Sequence, residues 1–213
     1  MNWLSLWRVS PVLIPFIVGC VNYKYLGKLR YLFYFVTYGV ANEIAGRVLL
    51  GLGAQNTQPK SHLYTLVAFA LLCLFYQKVF DNFISKKWFY RLIIFFLVFY
   101  TINLLYFETI FEYPSIPSSI LAIVIVTFSI LYYYKVMVDA KIEELSKEPM
   151  VWINTGILIY YTGNLFRYIL FNLFLDYSEE FLRSIGVYFF ILNGLFYVLI
   201  AIGFWKVKPT RSK

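Results

Sequence analysis

Three ionisable side chains interrupt apolar stretches of the sequence: Glu43, Arg47 and Arg167. A charge at the centre of a membrane-spanning helix costs about 2.5–3.5 kcal/mol, so such groups normally face the interior of a helix bundle. Glu43 and Arg47 are four positions apart and therefore share one face of a helix. A buried carboxylate and guanidinium can lock two helices together, hold a ligand or ion, or relay a proton. All three interpretations stay open at the level of sequence.

Polar residues at helical spacing accompany these charges. Tyr160 and Asn164 share the helix face of Arg167, and Asn193 is a polar position in the last apolar segment. His62 begins another apolar segment, where a single histidine is either an interfacial residue or a group that senses pH or a ligand. We predict one polar ligand-binding site, formed by Glu43, Arg47, His62, Tyr160, Asn164, Arg167 and Asn193.

The sequence has no recognisable catalytic or metal-binding motif. It contains no Ser/His/Asp or Cys/His set, no HExxH and no phosphate-binding loop. Cys20 and Cys73 lie in apolar stretches outside any CxxC motif, which argues against a disulfide scaffold or a zinc site. The last apolar segment has no lysine before Lys206, which argues against a retinal Schiff base. We predict no catalytic residue, no metal and no cofactor, and whether the protein is an enzyme stays open.

The composition is that of a membrane protein. Of 213 residues, 61% are hydrophobic and 14% are charged, whereas soluble domains have about 25% charged residues. A spanning helix needs about 20 apolar residues, so seven of them leave little room for another folded domain. We predict a single all-α domain over residues 1–213, a polytopic bundle of seven transmembrane helices. The apolar segments are 9–22, 31–52, 63–80, 92–107, 118–138, 150–175 and 184–205.

The first segment differs from the other six. It is short and contains Pro11 and Pro15, and residues 17–20 read as a bacterial lipobox that would make Cys20 a lipidated N-terminus. Cleavage there would leave Lys24 and Lys28 outside the membrane, against the charge distribution described next. We therefore favour a retained helix over a lipoprotein or a cleaved signal peptide.

The distribution of basic residues predicts the orientation. Fourteen of the 19 Lys and Arg residues lie in or beside the first, third and fifth loops or in the C-terminal tail, and three lie in the N-terminal segment and the even loops. This bias predicts an outer N-terminus and a cytoplasmic C-terminus. It also explains the net charge of +8 without a nucleic-acid partner. At 1.5 Å per residue, Glu43 and Arg167 then lie about 12–14 Å below the outer ends of their helices, where we predict that they are direct or near partners.

Three stretches carry a resemblance to a known family. They are residues 62–66 (HLYTL), residues 148–160 (EPMVWINTGILIY) and residues 201–207 (AIGFWKV). They resemble small, largely uncharacterised seven-helix membrane proteins of Bacteroidetes, which also occur as the membrane-sensing segment of some histidine kinases. The resemblance implies a seven-helix fold and a sensory role but no catalytic residues. Relatives often have an acid at the position of Ala68 and apolar residues near Arg167, so a shared pocket does not follow.

Taken together, these features predict a membrane-embedded sensor or signalling protein of the bacterial inner membrane. It would bind a small molecule in a polar pocket in the outer half and act on a cytoplasmic signalling partner. The alternatives are a small-molecule or ion transporter, and an intramembrane lipid-modifying enzyme in which Glu43 and His62 converge as acid and base. Membrane lipids are its other expected partners. No helix has an outward GxxxG motif, so we expect a monomer or a weak dimer.

Overall fold

The computed structural model describes residues 10–81, 83–139, 144–174 and 178–207, which form seven α-helices and no strand. The helices are α1 Ser10–Val21, α2 Arg30–Gly51, α3 Gln58–Val79, α4 Lys86–Tyr106, α5 Ser115–Asp139, α6 Pro149–Phe174 and α7 Glu179–Lys206. The all-α fold is thus confirmed for the described residues. Some charges used for the orientation lie outside them: Arg8, Lys141, Asp176, Lys208, Arg211 and Lys213.

Local sequence accounts for several helix ends. Pro59 lies in the first turn of α3 and Pro149 begins α6, and proline suits a first turn because its missing N–H would have no partner there. Beyond the end of α2, Gly53 adopts a φ of +85° that favours glycine. The side chain of Ser178 accepts a hydrogen bond from the Phe181 N–H at 3.4 Å and caps α7.

The helices pack as a ring with one outlier. Neighbouring contacts run from α1 to α2, α3, α5, α6, α7 and back to α1, with α5–α6 and α6–α7 the most extensive interfaces. Helix α4 lies outside the ring, against α3 and α5. Asn56 Nδ2 donates to the Phe111 carbonyl at 2.8 Å, which joins the loop before α3 to the loop before α5 at one end of the bundle.

Within the part of the chain that the structure describes, four helices are long and apolar enough to cross a membrane: α3, α4, α5 and residues Arg183–Lys206 of α7. Of these, α3 is the most buried and α4 the least. Helix α1 is apolar but shorter. Helices α2 and α6 contain the charged and amide residues at which the predicted site is centred, and these lower their hydropathy.

Candidate functional site

Glu43 lies half-buried on α2, within the electrostatic reach of side chains from three other helices. Its carboxylate interacts with Lys60 and Tyr64 on α3, Tyr160 on α6 and Tyr197 on α7. We call these five residues the Glu43 cluster. An ion pair that joins two helices needs side chains from those two helices only, whereas this cluster contains side chains from four helices.

Lys60 lies over α2 beside a glycine. A Cβ added to Gly46 would lie 3.0 Å from Lys60 Nζ, so any larger residue there would displace the lysine. Gly46 is three positions from Glu43 and therefore on the same side of α2. The small side chain thus lets the lysine lie over α2, near the carboxylate.

The tyrosines of the cluster are held by aromatic packing. Tyr64 stacks on Tyr38 with ring centres 5.7 Å apart. Tyr160 stacks on Phe196 at 4.4 Å. Because these rings pack against neighbours on α2 and α7, the phenol groups of Tyr64 and Tyr160 are held in position.

Arg167 lies next to this cluster, among aromatic rings. Its Cζ atom is 5.2 Å from the ring centre of Phe189 and 5.5 Å from that of Tyr168, distances typical of cation–π contacts. Its side chain also hydrogen-bonds with Tyr113, whose ring stacks on Tyr168. Its Nε–H is buried and has no hydrogen-bond partner among the described residues. An unpaired buried donor costs about 1–3 kcal/mol.

Glu43 and Arg167, which we predict to be direct or near partners, do not form a direct ion pair in the structure. No ion pair within 4.0 Å joins Glu43 to Arg167 or to Lys60 among the residues that the structure describes. Lys60 is within electrostatic reach of Glu43, and aromatic rings lie around the guanidinium of Arg167. Both charges nevertheless interact with Tyr160. That Glu43 and Arg167 are near partners therefore stays a prediction, and Tyr160 is the residue that interacts with both of them.

The other predicted residues are distributed unevenly around this centre. Asn164 is buried and donates through Nδ2 to the Tyr160 carbonyl of its own helix at 2.8 Å. Arg47 and Asn193 are half-buried on α2 and α7. Asn164 therefore supports the backbone beside Tyr160.

His62 forms hydrogen bonds with residues outside the Glu43 cluster. Its Nε2 lies 2.9 Å from the Glu112 carbonyl oxygen, which can only accept, so Nε2 carries the proton. Its Nδ1 lies 2.5 Å from the Tyr100 hydroxyl and, in the neutral ring, accepts from it. His62 is buried and ties α3 to α4 and to the loop before α5, so these contacts give it a structural role.

The predicted site does not include a buried carboxylate that lies near His62. Glu108 is 7% exposed. Its two oxygens accept from Asn103 Nδ2 at 2.8 Å and from the Ile116 N–H at 3.0 Å. A carboxylate at the first turn of α5 is favoured by the helix dipole. Nothing in the local sequence distinguishes it from a solvated loop residue.

Comparisons with protein-family models, curated proteins and solved structures gave no match. Function is therefore argued from the chemistry of the site. Among the described residues, no group of three or more His, Cys, Asp or Glu side chains could hold a metal ion.

The arrangement suits binding through polar groups inside an apolar bundle. The Glu43 cluster and Arg167 together present one carboxylate, two cations and several phenols from α2, α3, α6 and α7. The cations outnumber the carboxylate, and one guanidinium donor is unpaired. Such a site favours a ligand that supplies a hydrogen-bond acceptor and a negative charge.

Proposed function

We propose that the protein is a sensor with seven membrane-spanning helices, located in the bacterial inner membrane. Its N-terminus lies outside and its C-terminus in the cytoplasm. It binds a small molecule in the outer half of the bundle, at the Glu43 cluster and Arg167, and transmits helix movement to a cytoplasmic signalling partner. The resemblance to sensory segments of histidine kinases supports the same role.

The observation that carries this proposal is the buried Nε–H of Arg167, which has no partner among the described residues. Buried polar groups are paired in the great majority of cases, and an exception calls for an explanation such as an absent ligand or ion. A purely structural arginine would gain from a complete set of acceptors. The ligand is therefore a small organic anion, such as a carboxylate.

The contacts of Arg167 connect the proposed ligand site to other helices of the bundle. Arg167 contacts Phe189 on α7 and the loop residue Tyr113, and α6 has extensive interfaces with both α5 and α7. A ligand that draws the guanidinium away from its rings would shift α6 against these helices. The opposite ends of α5 and α7 lie on the side of the basic loops, where a cytoplasmic partner would bind.

Thermal unfolding in detergent tests the binding site. The probes are benzoate and short-chain carboxylates, each paired with its neutral amide. We expect the carboxylates, and not the amides, to raise the midpoint of the wild type and of the control Arg183→Leu, whose arginine is exposed on α7. Arg167→Leu should abolish the shift. Equal shifts in Arg167→Leu, or none in the wild type, would contradict the proposed site.

A transporter is the second candidate, because polar side chains continue along α6 towards the other end of the bundle. Tyr161 interacts electrostatically with both Tyr160 and Tyr76, and Tyr76 hydrogen-bonds with Asn154. Uptake of a labelled carboxylate into proteoliposomes would favour transport. Binding without uptake favours the sensor.

A further inference from the structure

At the end of the bundle opposite the Glu43 cluster, the structure has a cleft of about 370 Å³ between α3, α5, α6 and the turn before α2. We call it the inner cleft. Its charged lining consists of Lys28 and Lys135 together with Asp139 and Glu148. A volume of this size is in the range of small-ligand sites.

The four charged side chains of the inner cleft do not form ion pairs with one another. No ion pair within 4.0 Å involves any of them among the described residues. The adjacent Glu144 behaves differently: hydrogen bonds with Lys147 and Ser146 lower the pKa of its carboxyl. The inner cleft thus keeps two cations and two carboxylates available, while the neighbouring acid is already paired.

One of the cations is held in place by the fold. Lys135 Nζ donates to the Val79 carbonyl at 2.9 Å, at the end of α3. An ammonium group has three donors, so two remain for a ligand. The Tyr132 ring lines the same cleft, and its phenol interacts electrostatically with Glu148.

Side chains typical of the membrane–water interface lie at the same end of the bundle as the inner cleft. Trp152, on the first turn of α6, donates through Nε1 to the Ser146 carbonyl at 2.8 Å. Lys206 Nζ, at the end of α7, lies 5.5 Å from the Trp152 ring centre. Tryptophan and lysine pairs of this kind mark the membrane–water interface. Helices α3 and α5 end, and α6 begins, at this level.

We propose that the inner cleft binds a phosphate group joined to a primary ammonium group, the chemistry of an ethanolamine phospholipid headgroup or of a free phosphate ester of the same kind. Lys28 and Lys135 bind the phosphate, and Asp139 and Glu148 accept hydrogen bonds from the ammonium. A simple anion would be repelled by the two carboxylates, and a simple cation by the two lysines. This inference does not depend on the ligand proposed for the outer half.

Native mass spectrometry of the full chain, released from micelles with added lipid, tests this inference. The probes are phosphatidylethanolamine, phosphatidylcholine and phosphatidylglycerol with identical acyl chains, and soluble phosphoethanolamine as a competitor. We expect phosphatidylethanolamine to bind at least about tenfold more tightly than the other two, which corresponds to about 1.4 kcal/mol. A quaternary ammonium cannot donate to the carboxylates, and phosphatidylglycerol has no ammonium.

Two variants and a control assign the preference to the inner cleft. Lys28→Gln and Glu148→Gln should each reduce phosphatidylethanolamine binding about tenfold, and Lys87→Gln, an exposed lysine outside the cleft, should not change it. Asp139→Asn, at an exposed position, replaces Glu148→Gln if the latter fails to fold. Competition by phosphoethanolamine at concentrations similar to the lipid would identify a free ester, and competition only at far higher concentrations a lipid. Equal binding of phosphatidylglycerol, or a preference for phosphatidylethanolamine that survives the carboxylate change, would overturn the proposal.

Discussion

The Tyr76 hydroxyl on α3 donates to Asn154 Oδ1 on α6 at 2.7 Å, across the centre of the bundle. Ser129 Oγ on α5 lies 2.7 Å from the same hydroxyl and donates to it, since the phenol proton is already used. Asn154 Nδ2 returns to the Ser129 carbonyl at 3.0 Å. The three side chains are fully buried, so this closed network fixes α3, α5 and α6 together.

Loss of the Tyr76 hydroxyl should therefore destabilise the bundle. Tyr76→Phe leaves Asn154 Oδ1 without its donor, which should lower the free energy of unfolding by about 1–3 kcal/mol. Tyr134→Phe is the matched control, because Tyr134 is 53% exposed on α5 and should change stability by less than about 0.5 kcal/mol. Denaturant titration in detergent measures both. Equal effects would show that the network contributes nothing.

Close packing between α6 and α7 gives a second prediction. A Cβ on Gly203 would lie 2.7 Å from Ile153 Cδ1 and 3.0 Å from the Pro149 carbonyl oxygen. Gly203→Ala should therefore cost about 1–3 kcal/mol through overpacking. A Cβ on Gly186 meets no atom within 4 Å, so Gly186→Ala on the same helix should be neutral or stabilise by about 0.5–1 kcal/mol. Thermal midpoints that rank the two variants in reverse would contradict this packing.

The helices were predictable because each apolar run is separated from the next by turn residues or charges. Pro149 at the start of α6 is one such boundary. The predicted starts of α3, α4 and α7 came several residues late, because the first turns of these helices are polar. Apolar runs report the membrane-embedded part of a helix, and polar first turns extend beyond it.

Side-chain direction was harder to predict than helix position. Successive residues on an α-helix point about 100° apart, so Tyr132, Tyr133 and Tyr134 cannot share one environment. Tyr132 is buried and Tyr134 is exposed, a difference that the run of three tyrosines does not indicate. Likewise, the Tyr100 partner of His62 depends on how α4 is rotated against α3. Residue spacing within one helix carries no information about that angle.

The orientation is tested by reporter fusions. The charge distribution predicts a cytoplasmic segment 206–213 and an outer loop at residues 176–180. Alkaline phosphatase should be active when inserted in that loop and inactive when fused to the tail, and a fluorescent protein should show the opposite pattern. An active phosphatase at the tail would reverse the orientation and place the inner cleft on the outer side.

The last prediction concerns which cation is coupled to Glu43. Lys60 lies over Gly46, within electrostatic reach of the carboxylate, whereas Arg167 shares only the intermediary Tyr160 with it. A double-mutant cycle of Glu43→Gln with Lys60→Met should give a coupling energy of about 0.5–3 kcal/mol, because either single change leaves one charge without its counterpart. The cycle of Glu43→Gln with Arg167→Leu should give a smaller value. Arg183→Met is the control and should be additive with Glu43→Gln within about 0.5 kcal/mol. Unfolding free energies in one detergent provide all three cycles. If the Arg167 cycle gives the larger coupling, the guanidinium and not the lysine balances Glu43, and the two parts of the site act as one charge pair.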